Sequence, residues 1–260
     1  MRNWPFAGRR RELESISRLA QDRAARGVVI AGPAGVGKTR LAAEVLTRFP
    51  ADRVTVLAVR ATKAGSGIPN GALADLLPSH TPPGVANTLR WTADELLALG
   101  GGRLVLLDVD DVHLLDSHSA LVVNSLVRSG RARLIATLRS GEPAPDSIEA
   151  LWKDGHVHRD DLRPLTERDV REILAAALNG QPDDAAVQHL SAVSDGNALF
   201  LSEIVTSALA CGALRPEHGM WKLAALPPLA PRLVDLIHNA SGRCRAISRP
   251  SWNTPRSPSR

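Results

Sequence analysis

The sequence has few of the features of a secreted, membrane-bound or metal-rich protein. It contains two cysteines, Cys211 and Cys244, which are too few and too arbitrarily spaced for a disulfide framework or a metal site. No stretch approaches the roughly 18 uninterrupted apolar residues of a membrane span, and residues 1–5 lack the apolar core of a signal peptide. These absences predict a cytoplasmic protein without a membrane partner.

Acidic residues are absent after Asp235, and this absence locates the charge of the chain. Five arginines follow Asp235 and carry the whole formal net charge of +5, because the other 27 Lys and Arg residues balance 27 Asp and Glu residues. The pI of about 10.0 therefore does not indicate a basic, nucleic-acid-binding body. Residues 241–260 are rich in Pro, Ser and Arg without periodicity, and we expect a disordered, solvated tail rather than a contact with nucleic acid or acidic lipid.

Short apolar, β-branched runs alternate with helical patterns over the first two thirds of the chain. Because 260 residues with 44% hydrophobic content suffice for one α/β domain and a smaller one, we expect both. The predicted strands are 28–31, 54–59, 104–109, 134–138 and 157–162, and the predicted helices between them are 41–49, 86–99 and 119–128. Helical crossovers between such strands predict a five-stranded parallel sheet with helices on both faces.

The pattern changes at Thr166, after which only helices are predicted. These span residues 166–178, 183–194 and 198–211. A capping box, Thr166 with Asp169, opens the first of them. The change predicts a domain boundary near residue 165.

A glycine-rich loop follows the first predicted strand. Residues 32–39 read GPAGVGKT, whose glycines free the backbone to wrap a phosphate chain with N–H groups, while the helix that follows points its positive end at the same anion. Lys38 would reach the β- and γ-phosphates, and the Thr39 hydroxyl would complete a Mg²⁺ shell. The predicted nucleotide-binding residues of this loop are Gly32, Pro33, Ala34, Gly35, Val36, Gly37, Lys38, Thr39 and Arg40.

Acidic residues follow the third predicted strand. The apolar run 104–109 ends in Asp110 and Asp111, the Walker B pattern, in which Asp110 would hold Mg²⁺ and Asp111 would orient or deprotonate the attacking water. Asp108 also follows apolar residues and offers another register. We favour Asp110 and Asp111 because paired acids at the strand end suit the two roles; a surface acidic turn is the alternative to both.

Arginines offer further contacts to a nucleotide. Arg139 follows the strand 134–138 and would lie at the ligand edge of an open α/β sheet, where it could act on a γ-phosphate as a third catalytic residue. An ordinary exposed arginine is the alternative. Arg128, Arg131 and Arg133 include candidates for an arginine finger on a neighbouring subunit, and the sequence does not choose among them.

These motifs resemble a known family in their order. The segment FAGRRRE at residues 6–12 resembles the hhGRxxE box of the STAND-class, AAA-related ATPases, which implies that Gly8 and Arg9 face adenine and ribose and that Glu12 braces a helix start. The segment DDVHLLD at residues 110–116 is similar to the DDAHxLD signature of the large ATP-binding LuxR-type transcriptional regulators. Arg139 resembles the arginine of their TxR sensor.

Two later segments extend the resemblance to about residues 5–240. Residues 194–203 resemble the GNPLFLxEL segment that opens a lid helix, with Ala198 in place of a proline that touches adenine in the family. Residues 214–223 are similar to the GxW stretch that follows. The resemblance implies a P-loop NTPase domain over residues 1–164 and a helical lid over 165–240, before the tail of 241–260.

The functional prediction is an ATP-binding, slowly hydrolysing regulatory switch of the LuxR type, a weak ATPase that uses Mg²⁺. The helix-turn-helix of such regulators is not found, so we expect a truncated or frame-shifted member without direct DNA binding, with self-association or a protein partner. A DNA-handling AAA ATPase and a non-catalytic nucleotide-binding module are the alternatives. A small-molecule kinase is disfavoured because no acceptor-site motif is found, and no NKxD-type guanine reader is present.

Overall fold

A five-stranded parallel sheet forms the centre of the structure, a computed structural model that describes residues 4–22, 24–80 and 85–225. Its strands are β1 (Gly27–Gly32), β2 (Val54–Arg60), β3 (Leu104–Asp110), β4 (Ala132–Arg139) and β5 (His158–Asp161). They lie in the order β2-β3-β4-β1-β5, and every neighbouring pair is parallel. The five predicted strands are confirmed, with ends that differ by at most two residues.

Helices cover both faces of this sheet, as predicted. The described helices of this part are α1 (Arg10–Gln21), α2 (Lys38–Leu46), α3 (Thr88–Ala98), α4 (Ser117–Arg128) and α5 (Asp146–Lys153), with short 3₁₀ turns at Ala74–Leu76 and Val112–Leu114. Alternate residues of β1 enter two apolar clusters: Val28 and Ile30 pack with α1 and α2, whereas Val29 packs with α3, α4 and α5. Because both faces are covered, every residue of β1 is buried.

The second part of the chain contains α6 (Glu167–Leu178), α7 (Asp184–Ser194) and α8 (Ala198–Ala210). The capping box at its start is confirmed, because the Thr166 hydroxyl accepts a hydrogen bond from the Asp169 N–H and the Asp169 carboxylate accepts one from the Thr166 N–H. None of the described helices, here or around the sheet, is long and apolar enough to cross a membrane. The predicted tail of 241–260 lies outside the described residues, as does the end of the predicted lid.

The prediction of helices alone after Thr166 is wrong. Three short strands, β6 (Gln181–Pro182), β7 (Leu214–Glu217) and β8 (Met220–Leu223), form a small sheet in the order β6-β8-β7. His218 and Gly219 connect β7 to β8 with positive φ angles of 51° and 81°, which suit a two-residue hairpin loop. Strands of two and four residues are too short to produce a recognisable alternation. The GxW stretch is this hairpin.

Helix α4 begins at Ser117, two residues earlier than predicted. Asp116, the residue before it, anchors a neighbouring loop. Its carboxylate caps the helix by accepting from the Ser119 N–H at 2.9 Å, and it also accepts from the backbone N–H groups of Asn70 (3.1 Å) and Ala72 (3.4 Å). Burial opposes ionisation of this carboxyl, but the hydrogen bonds outweigh it, so the pKa of Asp116 is lowered. The loop between β2 and α3 is therefore tied to the start of α4.

Replacing Asp116 with alanine is expected to lower the free energy of unfolding by roughly 2–4 kcal/mol, the sum of a lost cap and unpaired N–H groups. Because the folded-state pKa is depressed, the stabilisation is present above the unfolded pKa and is lost as the pH falls below about 4. Chemical denaturation at pH 7 and pH 3 measures both effects. Asp52→Ala, at an exposed ion pair, is the control and should change stability by less than about 0.5 kcal/mol; equal losses in the two variants would contradict the anchoring role.

Candidate functional site

A cavity of about 950 Å³ opens at the carboxyl ends of β1, β3 and β4. Residues 4–7 and the loop 34–40 line one side of it, Asp111 and Arg139 lie at the sheet edge, and residues of α6 and α8 close the other side. Ligands of open α/β sheets bind at this edge, and the volume suits a nucleotide-sized molecule. The structure thus brings the glycine-rich loop, Asp111 and Arg139 to one cavity.

The glycine-rich loop joins β1 to α2 in a conformation that requires its glycines. Gly35 and Gly37 have φ angles of 75° and 106°, and Gly37 immediately precedes the first turn of α2. A Cβ atom at Gly32 would approach the Leu162 carbonyl oxygen to 3.0 Å. The helix begins at Lys38 and ends at Leu46, each three residues before the corresponding end of the predicted helix 41–49. Its amino terminus lies at the cavity, where helix N–H groups favour an anion.

The Lys38 side chain lies along this loop. Its Nζ donates to the carbonyl oxygens of Gly32 (3.0 Å) and Pro33 (2.9 Å), and only 7% of the residue is exposed. Burial lowers the pKa of Lys38, while the nearby carboxylates of Asp111 and Asp110 oppose the shift. The ammonium group is therefore held inside the loop, next to both acids of the predicted Walker B pair.

The register of the acidic motif follows from two side-chain contacts. The Thr39 hydroxyl donates to Asp110 Oδ1 at 2.9 Å, and the Thr137 hydroxyl donates to the same oxygen at 2.6 Å. Asp108 instead lies two residues deeper in β3, buried, with an ion pair to Arg60 at 2.9 Å. Burial raises the pKa of Asp108, and Arg60 opposes this rise. Asp110, not Asp108, meets the glycine-rich loop.

Asp111 has its backbone held in an unusual conformation at the end of β3. Its φ angle is 57°, its N–H donates to the Thr137 hydroxyl at 2.9 Å, and its carbonyl oxygen accepts from the Leu114 N–H at 2.8 Å. The side chain lines the cavity and is 45% exposed. Thr137 thus supports both acids, a role that the sequence reasoning missed; the signal was a lone hydroxyl within the buried strand β4, two residues before Arg139.

The segment before α1 contacts the glycine-rich loop and the chain that follows β5. Arg9 is 6% exposed, and its guanidinium donates to the carbonyl oxygens of Val36 (3.2 Å) and Arg163 (2.8 Å) and pairs with Glu12 at 3.1 Å. Arg9 also lines the cavity. Glu12 lies in the first turn of α1 and holds Arg9. Through these bonds Arg9 joins the glycine-rich loop to α1 and to the segment that follows β5.

Gly8 makes a close backbone contact with the start of α6. It is absent from the cavity wall; its φ angle is 72°, and a Cβ atom there would lie 2.6 Å from the Asp169 carbonyl oxygen. Contact of Gly8 with a base or ribose stays a prediction.

The remaining predicted arginines divide between the two ends of the sheet. Arg40 lines the cavity, is exposed, and pairs with Glu44 at 3.3 Å. Arg131 pairs with Asp94, and Arg133 donates to the backbone carbonyl groups of Ala20 and Asp22 at the end of α1, both at the end of the sheet opposite the cavity. Arg128 lies at that end too, at the last residue of α4. Arginine-finger action on a neighbouring subunit stays a prediction for all three.

The first turn of α8 is bonded directly to the glycine-rich loop. Asn197 caps α8 by accepting from Leu199 and Phe200, and its Nδ2 donates to the Ala34 carbonyl oxygen at 2.9 Å. The Leu199 N–H donates to the Gly35 carbonyl oxygen at 3.0 Å, and Ala198 lines the cavity. Asn197 is not among the predicted site residues. Its position after Gly196 in the lid segment was the feature of the sequence that could have indicated it.

The oxygen atoms of Thr39 and Asp110 fit a Mg²⁺ ion. Magnesium is held through one or two carboxylates together with substrate phosphates and water, rather than by an all-protein cage. The described residues contain no group of three or more His, Cys, Asp and Glu side chains that could hold a metal. A hydroxyl and a carboxylate in contact at the phosphate-facing end of the loop match the smaller requirement.

The fold and the loop geometry define an α/β protein of the P-loop NTPase class. Residues 5–82 match the family model described as AAA ATPase domain. The Aeropyrum pernix Orc1 protein, solved in complex with DNA, is 17% identical with a TM-score of 0.58, over 84% of this chain and 63% of that one. The Saccharomyces cerevisiae Hsp104–ADP complex is 16% identical with a TM-score of 0.54, over 81% of this chain and 38% of that one. No curated protein matches the sequence.

These likenesses bear on the fold. At 16–17% identity the two solved structures show a common fold and nothing about partners. The chain spans less than two thirds of the length of each. The match over residues 5–82 covers the segment before α1, the glycine-rich loop and β2, the part in which Arg9 fastens the loop.

Proposed function

We propose that the protein is an ATP-dependent switch that hydrolyses ATP slowly and signals through α8. The observation that carries the proposal is the pair of hydrogen bonds from Asn197 and Leu199 to the carbonyl oxygens of the phosphate-binding loop. A phosphate chain would reorganise the N–H and C=O groups of this loop. Because α8 is bonded to the same loop, its position would depend on which phosphates are bound.

Phosphate binding is assigned to the loop N–H groups and Lys38. Lys38 Nζ needs only to leave the carbonyl oxygens of Gly32 and Pro33 to reach phosphate oxygens. Thr39 and Asp110 would hold Mg²⁺, which neutralises negative charge on the β- and γ-phosphates when bound. The contact between Thr39 and Asp110 supports this assignment.

Hydrolysis is assigned to Asp111 and Arg139. Asp111 lines the cavity beside Lys38 and would orient or deprotonate the attacking water, while Arg139, at the end of β4, would stabilise charge on the γ-phosphate. Thr137 contacts both Asp110 and the Asp111 backbone, so it keeps the two acids in fixed relative positions. Rigid placement of this kind supports different roles for adjacent carboxylates.

Adenine is assigned to the apolar end of the cavity. Trp4 and Phe6 line it before α1, and Leu165, Ile173 and Leu201 line it from the lid side. Flat aromatic and aliphatic surfaces suit a purine ring. Ala198, where the family has a proline, belongs to this wall.

The finer proposal is that this is the ATPase part of a LuxR-type regulator, divided into an NTPase domain over residues 1–164 and a lid over 165–240. The order of the DDVHLLD and lid segments supports it. Self-association or a protein partner belongs to the same proposal. The likeness to a DNA-bound protein concerns the fold and does not show that this chain handles DNA. DNA handling and nucleotide binding without turnover are the alternative functions, and measurements of nucleotide binding and phosphate release distinguish them.

Calorimetric titration with ATP, ADP and GTP, with and without Mg²⁺, tests this assignment. We expect ATP and ADP to bind more tightly than GTP, and ATP affinity to fall when Mg²⁺ is removed, because Thr39 and Asp110 act through the ion. Phosphate release is measured beside it, with and without DNA. Stimulation by DNA would replace the switch with a DNA-handling ATPase, and binding without any phosphate release would leave a nucleotide-binding module.

A further inference from the structure

His113 contains a buried polar atom without a partner, beside the acid assigned to hydrolysis. Its side chain is 8% exposed and lines the same cavity as Asp111. Within the described part of the chain, its Nδ1 atom is buried and has no hydrogen bond. Leaving such an atom unpaired costs about 1–3 kcal/mol, and native interiors pair nearly all of them. We therefore expect a neighbouring group to form a hydrogen bond with this nitrogen in another side-chain arrangement.

The carboxylate of Asp111 lies close to this nitrogen. Asp111 Oδ1 lies 3.9 Å from His113 Nδ1, about 1 Å beyond hydrogen-bond distance. The Asp111 backbone is fixed at both its N–H and its carbonyl oxygen, by Thr137 and Leu114. Rotation of the two side chains would therefore close the gap, and rotation of the Asp111 side chain changes where its carboxylate points in the cavity.

We propose that His113 is a positioning residue for Asp111, donating a hydrogen bond from Nδ1 that holds the carboxylate on the attacking water. The proposal rests on the ATPase function proposed above. In that reaction the water oxygen bonds to the γ-phosphorus as the bond to the β–γ bridging oxygen breaks, and Asp111 accepts the water proton. His113 keeps its proton throughout. Restricting a catalytic group to its productive orientation contributes to rate without contributing to substrate affinity.

Burial favours a neutral His113 ring. Burial lowers the pKa of His113; the carboxylates of Asp111 and Glu142 oppose this, and the cations Arg139 and Lys38 add to it. A neutral ring carries one N–H, whose place is set by the hydrogen bond available. A neutral donor orients Asp111 without the large loss of basicity that a cationic partner would cause.

Three substitutions at His113 separate the role of the donor from that of the ring. An amide N–H near the Nδ1 position is retained in His113→Asn, shifted towards the Nε2 position in His113→Gln and removed in His113→Leu. We expect kcat for ATP to fall roughly 10- to 100-fold in His113→Leu and His113→Gln, and less than about fivefold in His113→Asn, with KM nearly unchanged in all three. His189→Leu, at an exposed residue of α7, is the control and should keep the parental kcat.

A double-mutant cycle tests whether His113 acts through Asp111. In an Asp111→Asn background, His113→Leu should cause no further loss of kcat, because the group that it orients has already been removed. Parental turnover in His113→Leu, equal losses in His113→Asn and His113→Gln, or additive losses in the cycle would overturn the positioning role while the ATPase function stands. If the parent releases no more phosphate than Lys38→Ala, the ATPase function fails and this role fails with it.

Discussion

Replacing Lys38 with alanine is expected to weaken ATP binding at least 100-fold while leaving the protein folded. In the proposed function Lys38 is the cation that contacts the phosphates, and two charge-assisted hydrogen bonds to phosphate are worth roughly 3 kcal/mol or more together. Its Nζ donates to the loop carbonyl oxygens of Gly32 and Pro33 rather than packing in the apolar core, so its removal is expected to leave the protein folded. Calorimetric titration with ATP measures the affinity, and circular dichroism measures the fold.

Lys153→Ala is the matched control for this substitution. Lys153 is an exposed lysine of α5, paired with Glu149, far along the chain from the loop. It should bind ATP as the parent does. Parental affinity in Lys38→Ala would mean that the glycine-rich loop is not the phosphate site.

Replacing Asp111 with asparagine is expected to separate binding from turnover. Hydrolysis should fall by roughly 100-fold or more, the usual scale of general-base assistance, while Mg²⁺-dependent ATP binding is retained through Asp110 and Thr39. Asparagine tolerates the left-handed backbone of this position, where φ is 57°, so the substitution changes the charge with little strain. Single-turnover phosphate release and calorimetric titration measure the two effects.

Two further variants test the register of the acids. Asp110→Ala should weaken the Mg²⁺-dependent part of binding, because it removes the carboxylate that contacts Thr39. Asp108→Asn should keep its turnover, since Asp108 is occupied with Arg60. Loss of turnover in Asp108→Asn together with parental turnover in Asp111→Asn would contradict the register.

The central sheet could be predicted because each of its strands is a short apolar run bounded by a clear change of pattern. The residues that follow β1, β3 and β4 share one edge of a parallel sheet, so the loop, the acids and Arg139 could be placed together without coordinates. The choice between Asp108 and Asp110 required the contact to Thr39, because both carboxylates lie on the same face of β3. Sequence spacing does not distinguish two residues that are one repeat apart.

The lid region was less accessible from the sequence. The hairpin of β7 and β8 has strands of four residues, which carry too little alternation to be recognised. The bonds from Asn197 to Ala34 and from Arg9 to Val36 join residues far apart in the chain. Such contacts depend on packing between separate elements, and no local pattern contains them.

The most direct test of the switch is amide hydrogen exchange at the start of α8. The Leu199 N–H is shared between the Gly35 carbonyl oxygen and the Asn197 side chain, and Asn197 is itself bonded to Ala34, so the protection of this N–H reports the contact between the loop and the lid. The experiment uses the Asp111→Asn variant, which is expected to bind ATP and to hydrolyse it slowly. In this variant we expect the amide exchange rate of the segment 196–203 to differ clearly between saturating Mg²⁺-ATP and saturating Mg²⁺-ADP. Equal exchange rates in the two nucleotides, with both shown by calorimetry to be bound, would contradict a lid that responds to the γ-phosphate.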